Sequence, residues 1–199
     1  FDTRSALLYY SPISLWSLTN GNHTLTYYST DNVLNEETKK TYTFYLDKTP
    51  PVVVQEIVGD QFLGNYKYIS SRTTVKLSAT DNKAGVDKIF YSIDVGGQNT
   101  YADQFIIPAK DGKHTIAYWG VDKVTNLAGK KYLTVFMDNT NPATYISYGQ
   151  PQFFDRDTLF VTSKTPITLT PRDYASGVLK TEYNVNGGSN AVYSSAFTV

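Results

Sequence analysis

The sequence predicts an all-β chain built as tandem antiparallel sandwiches, and three observations carry that prediction. Apolar and polar residues alternate at a period of two in short runs bounded by turn residues, and no window of about 11 residues shows a helical stripe. The composition suits strands, with 15% aromatic residues, 17 of them Tyr, among abundant Thr and Val. The chain also repeats itself at a spacing close to 90 residues, which suits a small β-domain.

The repeat appears as two matches. Displaced by 91, "GNHTLTYYSTDNVLNEETKKTYTFYLDKTPP" (21–51) lies on "GKHTIAYWGVDKVTNLAGKKYLTVFMDNTNP" (112–142) without a gap, with 13 of 31 positions identical. Chance gives about two. Displaced by 92, "YISSRTTVKLSATDNKAGVDKIFYSIDVGGQNTY" (68–101) lies on "FVTSKTPITLTPRDYASGVLKTEYNVNGGSNAVY" (160–193). There Asp81 meets Asp173, Gly85 meets Gly177 and Tyr91 meets Tyr183, while Phe105 meets Phe197 just beyond. The change of displacement places one inserted residue between Pro142 and Phe160. The expected organisation is the back part of one repeat (1–50), a complete repeat (51–141) and the front part of a third (142–199). A half-sandwich exposes a core face, so further sequence or a partner is expected to complete each end. A chain that opens on Phe1, with no signal-peptide pattern, is read as a piece of a longer, processed protein.

Each element of the complete repeat follows from its alternation. "VVVQEI" opens it. "TTVKLSAT" turns Val75, Leu77 and Ala79 to one face, and "VDKIFYSIDV" does the same with Ile89, Tyr91 and Ile93 before a turn at Gly96-Gly97. "DQFIIP" is a short strand stopped by Pro108. "KHTIAYWGV" places Ile116, Tyr118 and Gly120 inward, and "KYLTVFM" places Leu133, Val135 and Met137 inward. The counterparts of this last set in the first repeat are Tyr42, Phe44 and Leu46. Six or seven short strands in about 90 residues predict an antiparallel immunoglobulin-like sandwich.

The motif string "DKTPP…SATDNKAGVDKIFYSIDVGG…GKHTIAYWGVDKVTN…DNTNP" resembles the bacterial Ig-like repeats of large envelope and secreted proteins, such as those of leptospiral and Bacteroidota outer-membrane-associated proteins. The resemblance covers nearly the whole chain. It implies tandem Ig-like modules in the envelope, at the cell surface or secreted, with no shared enzymatic activity and with other envelope or surface proteins as partners. Two departures bear on turn geometry. The family's Gly before Asn is Leu34 or Thr125 here, and "DNTNP" has lost one Pro.

Charge and composition exclude several classes. With 18 Lys+Arg against 18 Asp+Glu, the chain has no electrostatic footprint for nucleic acid or an anionic membrane. No apolar run reaches the roughly 20 residues of a membrane-spanning helix. Without Cys there are no disulfides and no thiolate metal sites. No cofactor is expected, with calcium kept open at the linking segments.

The candidate site residues fall into four groups. Asp31/Asn35 and Asp122/Asn126 form a repeated D-x-x-x-N, whose side chains are expected to bond loop amides; two oxygens fall short of a calcium shell. Asp47 and Asp138, in the segments ending at Pro51 and Pro142, are cation candidates if Asp81 or Asp173 converges on them. His23 and His114 start equivalent strands and lack the partners of a zinc or nucleophilic site. Tyr28 and Trp119 share a repeat position that the alternation turns away from the core, making them candidates for stacking on sugars. Asp155 and Asp157 flank Arg156 once only, and Glu36 and Glu37 occur once, so neither pair supports a glycosidase-like reading. The expected function is a non-catalytic spacer, stalk or protein-interaction segment. The alternatives are a glycan-binding or adhesive module and an accessory region of an outer-membrane machine or large extracellular hydrolase.

Overall fold

A computed structural model describes residues 7–199, so the first six residues of the 1–50 portion lie outside the described residues. Among the described residues there are strands and no helix. In chain order they are β1 (Gly21–Tyr27), β2 (Lys40–Leu46), β3 (Val52–Val58), β4 (Gln61–Leu63), β5 (Lys67–Ile69) and β6 (Thr74–Thr80). They continue with β7 (Val86–Ile93), β8 (Asn99–Thr100), β9 (Phe105–Ile106), β10 (Gly112–Asp122) and β11 (Lys131–Met137). The last six are β12 (Ala143–Tyr148), β13 (Gln152–Asp155), β14 (Thr158–Val161), β15 (Ile167–Arg172), β16 (Glu182–Tyr183) and β17 (Ala191–Val192). The chain is therefore all-β.

The strands form a six-stranded sheet of order β4-β5-β11-β10-β7-β8, a three-stranded sheet β3-β6-β9 and four hairpin-sized pairs, β1-β2, β12-β15, β13-β14 and β16-β17. The expected layout is corrected in two places. The stretch 51–142 holds nine strands, because "DQFLGNYKYI" forms the β4–β5 hairpin that its irregular alternation concealed. The pairing is not purely antiparallel: β5 runs parallel to β11, with Tyr68 opposite Phe136 and Ile69 opposite Met137. A parallel pair needs a long connection, so no local turn signal announces it.

Two compact units are distinguished, Phe1–Glu56 with Lys76–Gln104 and Ile116–Tyr132, and Ile57–Val75 with Phe105–Thr115 and Leu133–Val199. Strands β3, β6, β10 and β11 contribute residues to both. In the first unit β1 and β2 form a seven-residue ladder from Gly21↔Leu46 to Tyr27↔Lys40. There β10 pairs with β7 from Ile116↔Ile93 to a bulge between Val121 and Asp122. The second unit holds β4–β5–β11, the β6–β9 bridge at Val75↔Phe105, and the pairs β12–β15, β13–β14 and β16–β17.

The buried apolar side chains concentrate between residues 53 and 137. They include Val53, Ile69, Val75, Leu77, Ile107, Ile116, Leu133, Val135 and Met137, and each such side chain contributes about 1.5–3 kcal/mol. The period-two reading placed most of them on the inner face. It failed at β10, where Ala117 and Trp119 are buried as well as Ile116 and Tyr118. Gly120 is required there, because a Cβ would stand 2.9 Å from the Val53 side chain and 3.2 Å from the ring of Pro51.

Local geometry recurs at the repeat spacing. Leu34 and Thr125 have φ of 71° and 72°, so each adopts the left-handed conformation that a Gly would take. Asp94 and Asn186 do so too, at 52° and 53°. The first hairpin turn therefore places its left-handed residue at Asp94, ahead of the expected Gly96-Gly97.

Candidate functional site

The phrase D-x-T (Asp47–Thr49, Asp138–Thr140) is explained by its hydrogen bonds. Strand β2 or β11 ends immediately before the Asp, so that residue's backbone leaves the ladder and its short side chain can cap the next backbone amides. Asp47 Oδ1 accepts from Thr49 N at 3.0 Å, and Asp138 Oδ1 accepts from Thr140 N at 3.1 Å. The other oxygen reaches the loop that follows β6 or β15. Asp47 Oδ2 accepts from Ala84 N, and Asp138 Oδ2 from Ser176 N, both at 2.9 Å. The Thr hydroxyls bond backwards, with Thr49 Oγ1 2.6 Å from Asn20 Nδ2 and Thr140 Oγ1 donating to Asp111 Oδ2 at 2.7 Å. Asn20 also accepts from Lys48 N, and Asp111 from Asn139 N, each at 2.8 Å. Thus a single three-residue phrase ties a preceding loop to a later one at both places. The Thr140 hydroxyl, with the Asn139 amide second to it, holds the Asp111 carboxyl below the usual carboxylate range.

The loops that receive the Asp are alike. Asp81 Oδ1 accepts from Lys83 N and Gly85 N, and Asp173 Oδ1 accepts from Ala175 N and Gly177 N, at 2.7–3.0 Å. Gly85 and Gly177 both sit at φ 84°. A Cβ at that angle is strained, which accounts for the Gly after Ala or Ser.

The D-x-x-x-N residues close hairpin loops. Asp122 Oδ1 accepts from Val124 N and Asn126 N, and its Oδ2 from Asn126 Nδ2. Asp31 repeats the set with Val33, Asn35 and the Asn35 amide. Their surroundings differ, since Asp122 is only 1% exposed and Asp31 is exposed. Asn126 Nδ2 also donates to Asp47 O at 3.0 Å.

That contact brings Asp122 to the first D-x-T segment. Ligand-type oxygens of Asp47, Asp81 and Asp122 lie within 4.8 Å of one another. Three negative charges at this separation repel by roughly 3 kcal/mol per pair at an effective dielectric of about 20. Among the described residues, no Lys or Arg forms an ion pair with any of them. Backbone amides offset part of the repulsion, but Asp81 Oδ2 is sealed from solvent and has no hydrogen-bond partner. An all-oxygen donor set of this kind suits a hard divalent cation, with water or carbonyls completing the six to eight ligands of calcium. The sequence pairs Asp47 with Asp81 as cation candidates and weighs Asp122 only with its own Asn126, two oxygens that fall short of a calcium shell. The recurrence of Asp122 as Asp31 concealed the added long-range role. Around Asp138 no such group of three forms among the described residues.

The aromatic candidates require a correction. Trp119 is buried at 5% exposure, not turned outward, because it packs on Phe90 at 5.9 Å and Lys130 Nζ lies 4.3 Å above its ring. Tyr28 is half-buried and has Lys39 Nζ 4.7 Å over its ring. The two lysines occupy the same repeat position, so each aromatic face is taken by a cation of its own chain. His23 and His114 are buried, and Nε2 of each bonds a backbone oxygen, that of Thr19 at 2.8 Å and that of Lys110 at 2.7 Å. Pro51 is buried against Gly120, whereas Pro142 is exposed. Asp155 and Glu36 are exposed, and Glu37 pairs with Lys40 at 2.8 Å.

No protein-family model matches the chain, and no curated protein and no solved structure matches it.

Proposed function

We propose that the chain is a non-catalytic stretch of tandem immunoglobulin-like modules from a longer bacterial envelope or secreted protein. It acts as a spacer or stalk and offers protein-interaction surfaces, with modules meeting at Pro51 and Pro142. The bacterial and envelope setting rests on the motif resemblance. The mechanical reading rests on one observation, the shared hydrogen-bond set of the two D-x-T segments. Each segment is fastened through Asp to the loop ahead and through Thr to the loop behind. A linker so fastened, with Pro limiting its backbone, restricts bending between neighbours.

The absence of Cys allows paired spin labels at exposed positions such as Thr41 and Asn99, on either side of the first segment in sequence. A narrow distance distribution that broadens on Asp47→Ala is the expected result. An unchanged width would remove the clamp from the proposal.

A second reading, a divalent cation at Asp47, Asp81 and Asp122, is favoured by the sealed and unpartnered Asp81 Oδ2. Calorimetry on chelator-treated protein should show calcium binding with a Kd on the order of 0.1–1 mM, the range of extracellular modules. The heat should vanish in Asp81→Asn. Absence of heat in the unmutated chain rejects this reading and leaves the spacer reading intact.

A further inference from the structure

The sequence holds two Asn-Gly pairs, Asn20–Gly21 and Asn186–Gly187. In such a pair the second residue has no side chain to shield its amide nitrogen, so that nitrogen can attack the side-chain carbonyl carbon of the Asn. The attack requires a following N–H that is not hydrogen-bonded, a carboxamide that is not held elsewhere, and access for water. The two pairs meet these requirements differently.

Asn186 lies in the turn Val185–Gly188, closed by Gly188 N donating to Val185 O at 3.0 Å. Asn186 and Gly187 have φ of 53° and 73°. A two-residue turn that is left-handed at both central positions is of type I′ and favours Asn-Gly. The turn accounts for the residue types but leaves their polar groups unengaged. Among the described residues, neither the Asn186 side chain nor the Gly187 N–H has a hydrogen-bond partner. Both residues are exposed, and nothing stands within 4 Å of a Cβ built on Gly187. The flanking strands β16 and β17 have two residues each, so the backbone at this turn is weakly restrained. The exposure is a property of the turn itself. Its counterpart in the complete stretch, closed by Gly96 N on Ile93 O, is exposed as well, with Asp94 at φ 52°. There the pair reads Asp94–Val95, and a branched side chain shields the amide.

Asn20 is also exposed, but its carboxamide is held at both ends. Its Nδ2 donates to Thr49 Oγ1 at 2.6 Å, and its Oδ1 accepts from Lys48 N at 2.8 Å. Gly21 already belongs to the β1 ladder, opposite Leu46. Attack on the Asn20 carbonyl carbon requires the side chain to leave both bonds.

We propose that Asn186 is a site of spontaneous deamidation, and that the first D-x-T segment spares Asn20 by holding its side chain. Gly187 N gives its proton to solvent base and bonds to Asn186 Cγ, and the side-chain nitrogen leaves as ammonia. The succinimide so formed is opened by water at either carbonyl. One water is taken up and one ammonia released, without oxidant or reductant. Opening on one side gives aspartate, the residue that the counterpart turn carries as Asp94 in the same left-handed backbone. Opening on the other gives isoaspartate, whose additional backbone methylene lengthens a loop that sets strand register. Either product adds a negative charge to a chain balanced at 18 Lys+Arg and 18 Asp+Glu.

The test incubates the 199-residue chain in mildly alkaline buffer and maps its peptides by mass spectrometry. Isoaspartate is read by enzymatic methyl transfer to isoaspartyl carboxylates. Asn186 should convert to a mixture of aspartate and isoaspartate, and Asn20 roughly thirtyfold more slowly, the factor that two hydrogen bonds supply. In concentrated urea the two rates should converge, because both Asn precede Gly. Thr49→Val removes one of the two bonds and should speed Asn20 about fivefold while leaving Asn186 unchanged. Equal rates in the folded chain, or an Asn186 that converts only in urea, overturns the proposal. A Thr49→Val chain in which Asn20 is no faster overturns the protection of Asn20 and leaves the site at Asn186 standing.

Discussion

The two D-x-T segments use the same hydrogen bonds in different electrostatic settings. At both, Asp caps Thr and reaches forward to a loop amide, while Thr reaches back to a side chain. The first segment is joined by a third carboxylate, Asp122, and its rear partner is the neutral Asn20. The second gathers two carboxylate loops and has the ionisable Asp111 behind it. The shared bonds explain why the phrase is written twice. The differences say that the first segment should respond to divalent cations and the second to acid.

The largest effect is expected where the shared loop motif is buried. Asp122→Ala removes a buried carboxylate and strands the amides of Val124 and Asn126 and the Asn126 side chain in a part-buried loop, at a cost of about 1–3 kcal/mol. Asp31→Ala removes the same bonds in an exposed loop, where water replaces them, and should cost less than about 1 kcal/mol. Urea midpoints at constant m measure both. Equal losses would mean that burial does not distinguish the two loops.

Calcium comes next. At about ten times its Kd, binding to the folded chain alone adds roughly 1.4 kcal/mol of stability. The gain should disappear in Asp81→Asn and persist in Asp173→Asn, its counterpart at the second segment. Thermal melts with calcium and with chelator decide this, and a gain lost equally in both variants contradicts an assignment to the first segment. A smaller effect tests the common part. Thr49→Val and Thr140→Val each remove one hydroxyl bond and should each cost about 1 kcal/mol. A large difference between them would show that the rear contact is not equivalent.

The sequence made the strands, their inner rows and the repeated segments readable, because alternation and self-similarity are local or near-local signals. Ile116, Leu133, Val135 and Met137 are buried as the period of two requires. The parallel β5–β11 pair was not readable, since pairing partners 68 residues apart leave no trace in alternation. Trp119 was misplaced because alternation assigns a face but does not reveal what covers it, here Phe90 and Lys130. Asp47 and Asp81 were visible as candidates. Asp122 was visible only with its own Asn126, because its convergence on them depends on Asn126 reaching Asp47, a contact across 79 residues. Leu34 and Thr125 retain the left-handed turn without the expected Gly because the Asp–Asn bonds around them hold the loop.

The smallest effect is also the most selective between the two segments. The Asp111 carboxyl is held low by the Thr140 hydroxyl and the Asn139 amide, so its folded pKa lies below its unfolded one. The bonds' contribution is then fully present above the ordinary Asp value of about 3.9 and is lost as pH falls through the lower folded value. Acidification below about pH 4 should therefore move the Asn139 amide resonance, which donates to Asp111, with the Asp111 titration. The Lys48 amide, its counterpart at the first segment, should show no such transition, because the Asn20 that accepts from it does not titrate. Thr140→Val should raise the Asp111 midpoint, and Asn20→Asp should give the Lys48 amide an acid transition of the same kind. If the Asn139 amide stays silent while Asp111 titrates, the carboxylate is not what fastens the second segment, and the contrast between the two would reduce to the third carboxylate at the first.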